Sequence, residues 1–121
     1  MRLSSHSSDA CADATGASWR VRDVMALMES WYPAAWAQSW DRVGLIVGDP
    51  DAPVRSILLA LDPTAAIAEQ TVAGPNGDGQ PYDMVITHHP LLLRGASFLP
   101  VTDPKGGVVT RLIRSGVSLF N

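Results

Sequence analysis

From Trp19 onward the chain shows a regular pattern of apolar and polar positions. Val21, Val24, Met25 and Met28 recur at i, i+3, i+4 and i+7, with Asp23 and Glu29 off the stripe, which is the spacing of a helix with one apolar face. The helix is expected to stop before Pro33, because the residue preceding a proline is pushed out of the helical region. Ser39 to Gly48 reads as a loop entering a short strand, closed by the turn Asp49-Pro50-Asp51-Ala52-Pro53. Val54 to Leu61 is an apolar strand interrupted only by Arg55 and Ser56. It ends at Asp62-Pro63-Thr64, where Asp62 suits a helix N-cap and Pro63 the first helical position, so a helix is predicted from Pro63 to Val72. Beyond the glycine- and proline-rich stretch Gly74 to Pro81, Met84-Val85-Ile86-Thr87 forms another buried strand. Pro90 lacks an amide donor, so this strand should end near His89. A further helix is predicted from Asp103 or Pro104 to Arg114, with Val108, Val109, Leu112 and Ile113 as its apolar set and Arg111 and Arg114 near its carboxyl end. Gly116 ends it, and Val117 to Phe120 is a last short strand.

Strand, helix and strand in succession make a βαβ unit, whose crossover is right-handed in nearly all proteins. The expected class is therefore α/β, a partly parallel sheet with a βαβ crossover and flanking helices. Parallel pairing places Asp62, His88 and His89 on one edge of the sheet, and in open α/β sheets ligands bind in the crevice outside the strands' carboxyl ends.

Composition narrows the picture. A chain of 121 residues fits one domain and can bury roughly two-thirds of its unfolded surface. Hydrophobic residues at 46%, charged residues at 17% and a formal charge of -3 describe an ordinary globular protein with no electrostatic footprint for nucleic acid. Residues 1–18 are nearly devoid of large apolar side chains and are expected to form a disordered arm, with His6 solvated, followed by a lobe over 19–121. The single cysteine, Cys11, cannot form an internal disulfide, no run is long enough to cross a bilayer, and Met1 to Ala17 lacks the apolar core of a signal peptide. A soluble, cytoplasmic protein without membrane contact is expected.

The candidate chemistry centres on His88 and His89. Histidine is the commonest metal ligand, and a pair at the mouth of such a sheet can hold a divalent cation. Adjacent residues on an extended strand face opposite ways, so one metal takes both rings only where the backbone turns; two neighbouring metals, or a metal and a substrate contact, are the alternatives. The competing reading has one histidine packed neutral in the core and the other exposed, and spacing alone does not choose between them. Asp62 is at hand, but with a capping role to fill. Asp49 and Asp51 are turn residues, since the two prolines and the missing downstream glutamate contradict a calcium loop. Trp31, Trp36 and Trp40 are expected to pack the first helix and its following turn against the sheet. Asp41 is expected to hydrogen-bond loop amides, or else to line the site. Arg94, shortly after the histidines, is a candidate contact for an anionic substrate group.

Three stretches, in order, carry a resemblance: Ser39-Trp40-Asp41-Arg42-Val43-Gly44-Leu45-Ile46-Val47-Gly48-Asp49-Pro50, Leu59-Ala60-Leu61-Asp62-Pro63-Thr64 and Val85-Ile86-Thr87-His88-His89-Pro90-Leu91. Together they resemble the amino-terminal part of the Nif-three-like family, the GTP cyclohydrolase 1 type 2 homologues. The resemblance covers Val21 to Asn121. It implies one lobe of a two-lobed α/β fold, a dinuclear centre of divalent metal ions (zinc, manganese or iron) with two ions per full-length subunit, and a ring-shaped homo-oligomer such as a hexamer. It also implies that His88 and His89 are metal ligands. Arg42 stands where the family often has asparagine, and the loop after Val72 is longer than the family's short turn. The family's next motif, Ala-His-Thr-Asn with an aspartate ligand, would start where this sequence ends, and its later His and Glu ligands would lie further on. The expectation is a chain truncated before the rest of the family fold.

Three functions follow from these expectations. The first is a metal-dependent hydrolase acting on a nucleotide or related small molecule. The second is a metal-binding interaction or regulatory module without turnover, and the third an inactive fragment lacking the remaining ligands.

Overall fold

The computed structural model describes residues 18–121, so the expected arm, with His6 and Cys11, lies outside the described residues apart from Ser18. The elements, in chain order, are α1 (Val21–Trp31), a 3-10 turn (Ala34–Trp36), β1 (Leu45–Val47), β2 (Ile57–Ala60), α2 (Ala65–Ala73), β3 (Met84–Thr87), α3 (Pro104–Arg114) and β4 (Ser118–Phe120). The four strands form one sheet in the order β1-β4-β3-β2. β2, β3 and β4 are parallel, with Ile57 opposite Met84 and Met84 opposite Ser118, while β1 joins β4 antiparallel. The α/β class and the partly parallel sheet are as the sequence implied. No helix among the described residues is long and apolar enough to cross a membrane.

Strand alternation divides the core in two. Val85 and Leu119 face α2 and α3, where they meet Ala68, Val108, Val109 and Leu112. Ile57, Met84 and Phe120 face α1 and meet Val21 and Val24. A tight turn joins the ends of this second layer. The backbone amide of Asp51 donates to Asp49 Oδ1 at 2.8 Å, and Arg22 Nε donates to Asp51 Oδ1 at 2.8 Å, so both acids are turn residues as expected. Gly48 follows β1 at φ 126°, and a Cβ there would lie 2.6 Å from Ser118 Cβ. Only glycine lets β1 approach β4 so closely.

Several local expectations are corrected. The strand expected over Val54 to Leu61 is only Ile57–Ala60. The Val54 amide is drawn instead to Trp19 O at 2.9 Å, and the Asp83 carboxylate holds the amides of Arg55 and Ser56 at 2.7 and 3.3 Å. The helix expected from Pro63 begins at Ala65, because Thr64 adopts the extended N-cap conformation and its hydroxyl accepts the Ile67 amide at 3.2 Å. Asp62 therefore does not cap it. The last helix matches its expectation: Asp103 caps it through the Gly106 amide at 3.0 Å, with Pro104 in the first turn. Its Ile113, however, is exposed, one position past the buried Leu112.

Trp31, Trp36 and Trp40 do not pack against the sheet. They are 58%, 71% and 62% exposed. Trp31 ends α1, Trp36 lies in the 3-10 turn and Trp40 in the loop after it, past the face that Val21, Val24, Met25 and Met28 turn to the sheet. Leu59, on the edge strand β2, is exposed as well. β4 is an interior strand rather than an edge, because β1 folds back beside it; the edges are β1 and β2.

Candidate functional site

β3 ends at Thr87, and the next two residues leave the ladder while staying tied to β2. The amide of His88 donates to Ala60 O at 3.1 Å and that of His89 to Leu61 O at 2.9 Å. Thr87, buried at the strand end, donates its hydroxyl to His89 O at 2.8 Å. The backbone is thus fixed on both sides of the histidine pair, and it bends there.

The bend changes the geometry expected of an extended strand. The two imidazole centroids lie 5.0 Å apart with the ring planes inclined at 47°, so the rings lie beside each other. The reading with one histidine buried also fails, since both are exposed. His89 Nδ1 lies 2.6 Å from Oδ1 of Asp62, the residue that follows β2 by one position beyond Leu61. The two side chains are about half exposed, at 54% and 50%. Parallel pairing carried Asp62 to this edge, and the Thr64 cap left its carboxylate available.

His88 opens onto a cavity of about 520 Å³ between the last turn of α1 and the strand ends. The walls are mostly apolar, from Met28, Tyr32, Val43, Leu59, Ile86 and Phe120, with Glu29 and Asn121 as polar members. This is within the size range of small-molecule sites. The Glu29 carboxylate is already engaged by the Ala34 amide at 2.9 Å. Asn121 is joined to Gly44 by a pair of backbone hydrogen bonds, at 2.7 and 3.1 Å, and its side-chain amide donates to Arg42 O, which brings the loop before β1 to the cavity rim. Asn121 Oδ1 is buried with no hydrogen-bond partner among the described residues.

Arg94 is exposed on a turn closed by the Gly95 amide donating to Leu92 O at 2.8 Å, and it does not line the cavity. Asp41 hydrogen-bonds the adjacent Arg42 amide at 3.0 Å, in keeping with the loop role expected for it. Tyr32, Val43 and Phe120 were not read from the sequence as site residues. Each belongs to a different element, and only the sheet order brings them together. Among the described residues no group of three or more His, Cys, Asp or Glu side chains is placed to hold a metal ion. The donor set that is present, two accessible imidazoles with a carboxylate on one of them, fits part of a divalent-metal shell and not a closed one.

Comparison with known proteins places this arrangement in context. A family model described as Duf34/NIF3 (NGG1p interacting factor 3) matches residues 19–121. A GTP cyclohydrolase 1 type 2 homolog of Mycobacterium tuberculosis is 44% identical over 103 residues, covering 85% of this chain and 25% of the relative. The crystal structure of a Staphylococcus aureus hypothetical protein is similar with a TM-score of 0.73 at 34% identity, covering 84% of this chain and 27% of that one. A Bacillus cereus protein related to NIF3 gives a TM-score of 0.73 at 26% identity, covering 84% and 26%. The chain spans about a quarter of the length of the mycobacterial relatives it matches. The matched region takes in the whole sheet, all three helices and both histidines, and the chain belongs to the Duf34/NIF3 family.

Proposed function

We propose that this chain contributes His88 and His89 to a divalent-metal centre of a hydrolase-like protein acting on a small molecule, a nucleotide or a related compound. One observation carries the reading: two accessible imidazoles stand 5.0 Å apart at the carboxyl edge of a parallel sheet, beside a cavity of substrate size. A divalent cation such as zinc, manganese or iron would supply Lewis acidity there, activating water and polarising an electrophilic ring carbon or phosphoryl oxygen. His88, which lines the cavity, would hold the cation within reach of anything bound there. Met28, Tyr32, Leu59, Ile86 and Phe120 offer an apolar bed for a planar ring. Arg94 is the exposed cation proposed to meet an anionic substrate group.

The proposal is for two metal ions per full-length subunit, in a cytoplasmic homo-oligomer such as a hexamer, with the remaining ligands supplied outside this chain. The name of the mycobacterial relatives, GTP cyclohydrolase 1 type 2 homolog, supports a nucleotide substrate class. The lack of a group of three ligands among the described residues favours a second reading, in which this chain alone binds metal weakly and turns nothing over.

Metal content by mass spectrometry, with light scattering for the oligomeric state, tests the proposal on this chain and on a longer protein that contains it. About two ions per subunit in the longer protein, lost in its His88→Ala and His89→Ala variants, are expected. Metal content unchanged by either substitution would sink the ligand assignment.

A further inference from the structure

We propose that Asp62 is the positioning residue of the histidine pair. Its carboxylate accepts a hydrogen bond from Nδ1–H of His89 and so fixes the tautomer whose Nε2 lone pair is free to bind a cation. This inference rests on the metal reading above and gives it an internal asymmetry.

The geometry leaves Asp62 little else to do. The helix that follows it is capped by Thr64, so Asp62 is not needed to start α2. An ion pair between two half-exposed groups adds little to folding stability. What the contact does accomplish is orientation. The His89 backbone is already held at two points, its amide on Leu61 O at 2.9 Å and its carbonyl on the Thr87 hydroxyl at 2.8 Å. Only the side-chain torsions remain free, and the 2.6 Å contact from Nδ1 to Asp62 Oδ1 sets them.

A neutral imidazole has one donor and one acceptor nitrogen, and a carboxylate can only accept. With the proton on Nδ1, Nε2 becomes the acceptor and the metal-binding atom. A carboxylate on the far nitrogen of a ligating histidine fixes the ring and raises its basicity. His88, in contrast, has no ring hydrogen bond among the described residues, so the pair combines one preset ligand with one adaptable ligand.

The test uses the 121-residue chain and zinc alone as the probe. Imidazole nitrogen NMR without metal reads the His89 tautomer, and a zinc titration reads affinity, for the wild type, Asp62→Ala and Thr64→Ala. The expected wild type is the Nδ1-protonated tautomer. Asp62→Ala should shift it toward Nε2 protonation and weaken zinc binding about 10- to 100-fold. Thr64→Ala, which loosens α2 without touching the ring, should change neither. An unchanged tautomer or an unchanged zinc affinity in Asp62→Ala overturns the inference while leaving the metal reading intact. Abolished zinc binding with the tautomer unmoved would make Asp62 a ligand itself, which also overturns it. A wild type that binds no zinc overturns the functional half of this inference, even where the tautomer follows Asp62, while the metal reading itself is decided by the metal content of the longer protein.

Discussion

Asp62 and His89 meet across the end of a parallel strand pair, Oδ1 to Nδ1 at 2.6 Å, although 27 residues separate them in the chain. The ladder that aligns them pairs Ala60 with Thr87, and the histidine pair extends it by two further backbone hydrogen bonds. The contact depends on where the intervening helix starts. Had Asp62 capped α2, its carboxylate would have turned toward the helix amides, away from the sheet edge.

That division of labour between Asp62 and Thr64 is separable by stability. Thr64→Ala removes the hydroxyl that accepts the Ile67 amide and should cost about 1 kcal/mol, the usual loss for an N-cap. Asp62→Ala should change stability by no more than about 0.5 kcal/mol, as for an exposed position away from caps and core. Urea denaturation followed by circular dichroism measures both. Equal losses would return the capping role to Asp62.

The two faces of α3 give a second contrast. Leu112 is 1% exposed and packs among Val85, Val108, Val117 and Leu119, so Leu112→Ala should cost about 2–5 kcal/mol. For its neighbour Ile113, which is 60% exposed, alanine should cost less than about 1 kcal/mol. Denaturation midpoints of the two variants would be compared under one set of conditions. Similar losses would mean that α3 is rotated from the orientation described.

Gly106 lies in the first turn of α3, where an alanine would ordinarily favour the helix by about 1 kcal/mol. Here a Cβ would lie 2.0 Å from Pro100 O and 2.6 Å from Leu99 C, both of them backbone atoms. Gly106→Ala should therefore destabilise the protein, by about 1–3 kcal/mol in the range for overpacking. Thermal melts would show it as a lowered midpoint. A raised midpoint would mean that the chain between β3 and α3 does not approach the helix as described.

The sequence by itself determined those elements whose signals are local. α1 follows from the spacing of Val21, Val24 and Met28, and α3 from Asp103, Pro104 and its apolar stripe. β3 follows from an apolar run that ends at a histidine pair and a proline. The βαβ order was enough to imply a parallel pair, and with it the placing of Asp62, His88 and His89 on one edge. These outcomes depend on backbone sterics and on hydrophobic period, which a short window of sequence contains.

Only the tertiary structure decided the rest, because each remaining feature is a competition between distant groups. Asp62 and Thr64 are both good caps by residue type, and proximity to His89 took Asp62 out of that competition. The tryptophans were expected to be core on size and apolarity. They are exposed because they lie at and beyond the end of α1, past the face that Val21, Val24, Met25 and Met28 turn to the sheet. Val117 to Phe120 was legible as a strand, but its place in the middle of the sheet required β1 to return from more than seventy residues upstream in the chain and pair antiparallel to it. The 5.0 Å approach of the His88 and His89 rings accompanies a bend held by Leu61 and Thr87. Strand alternation alone would have separated the two rings, and it is the hydrogen bonds just past the ladder's end that bring them together.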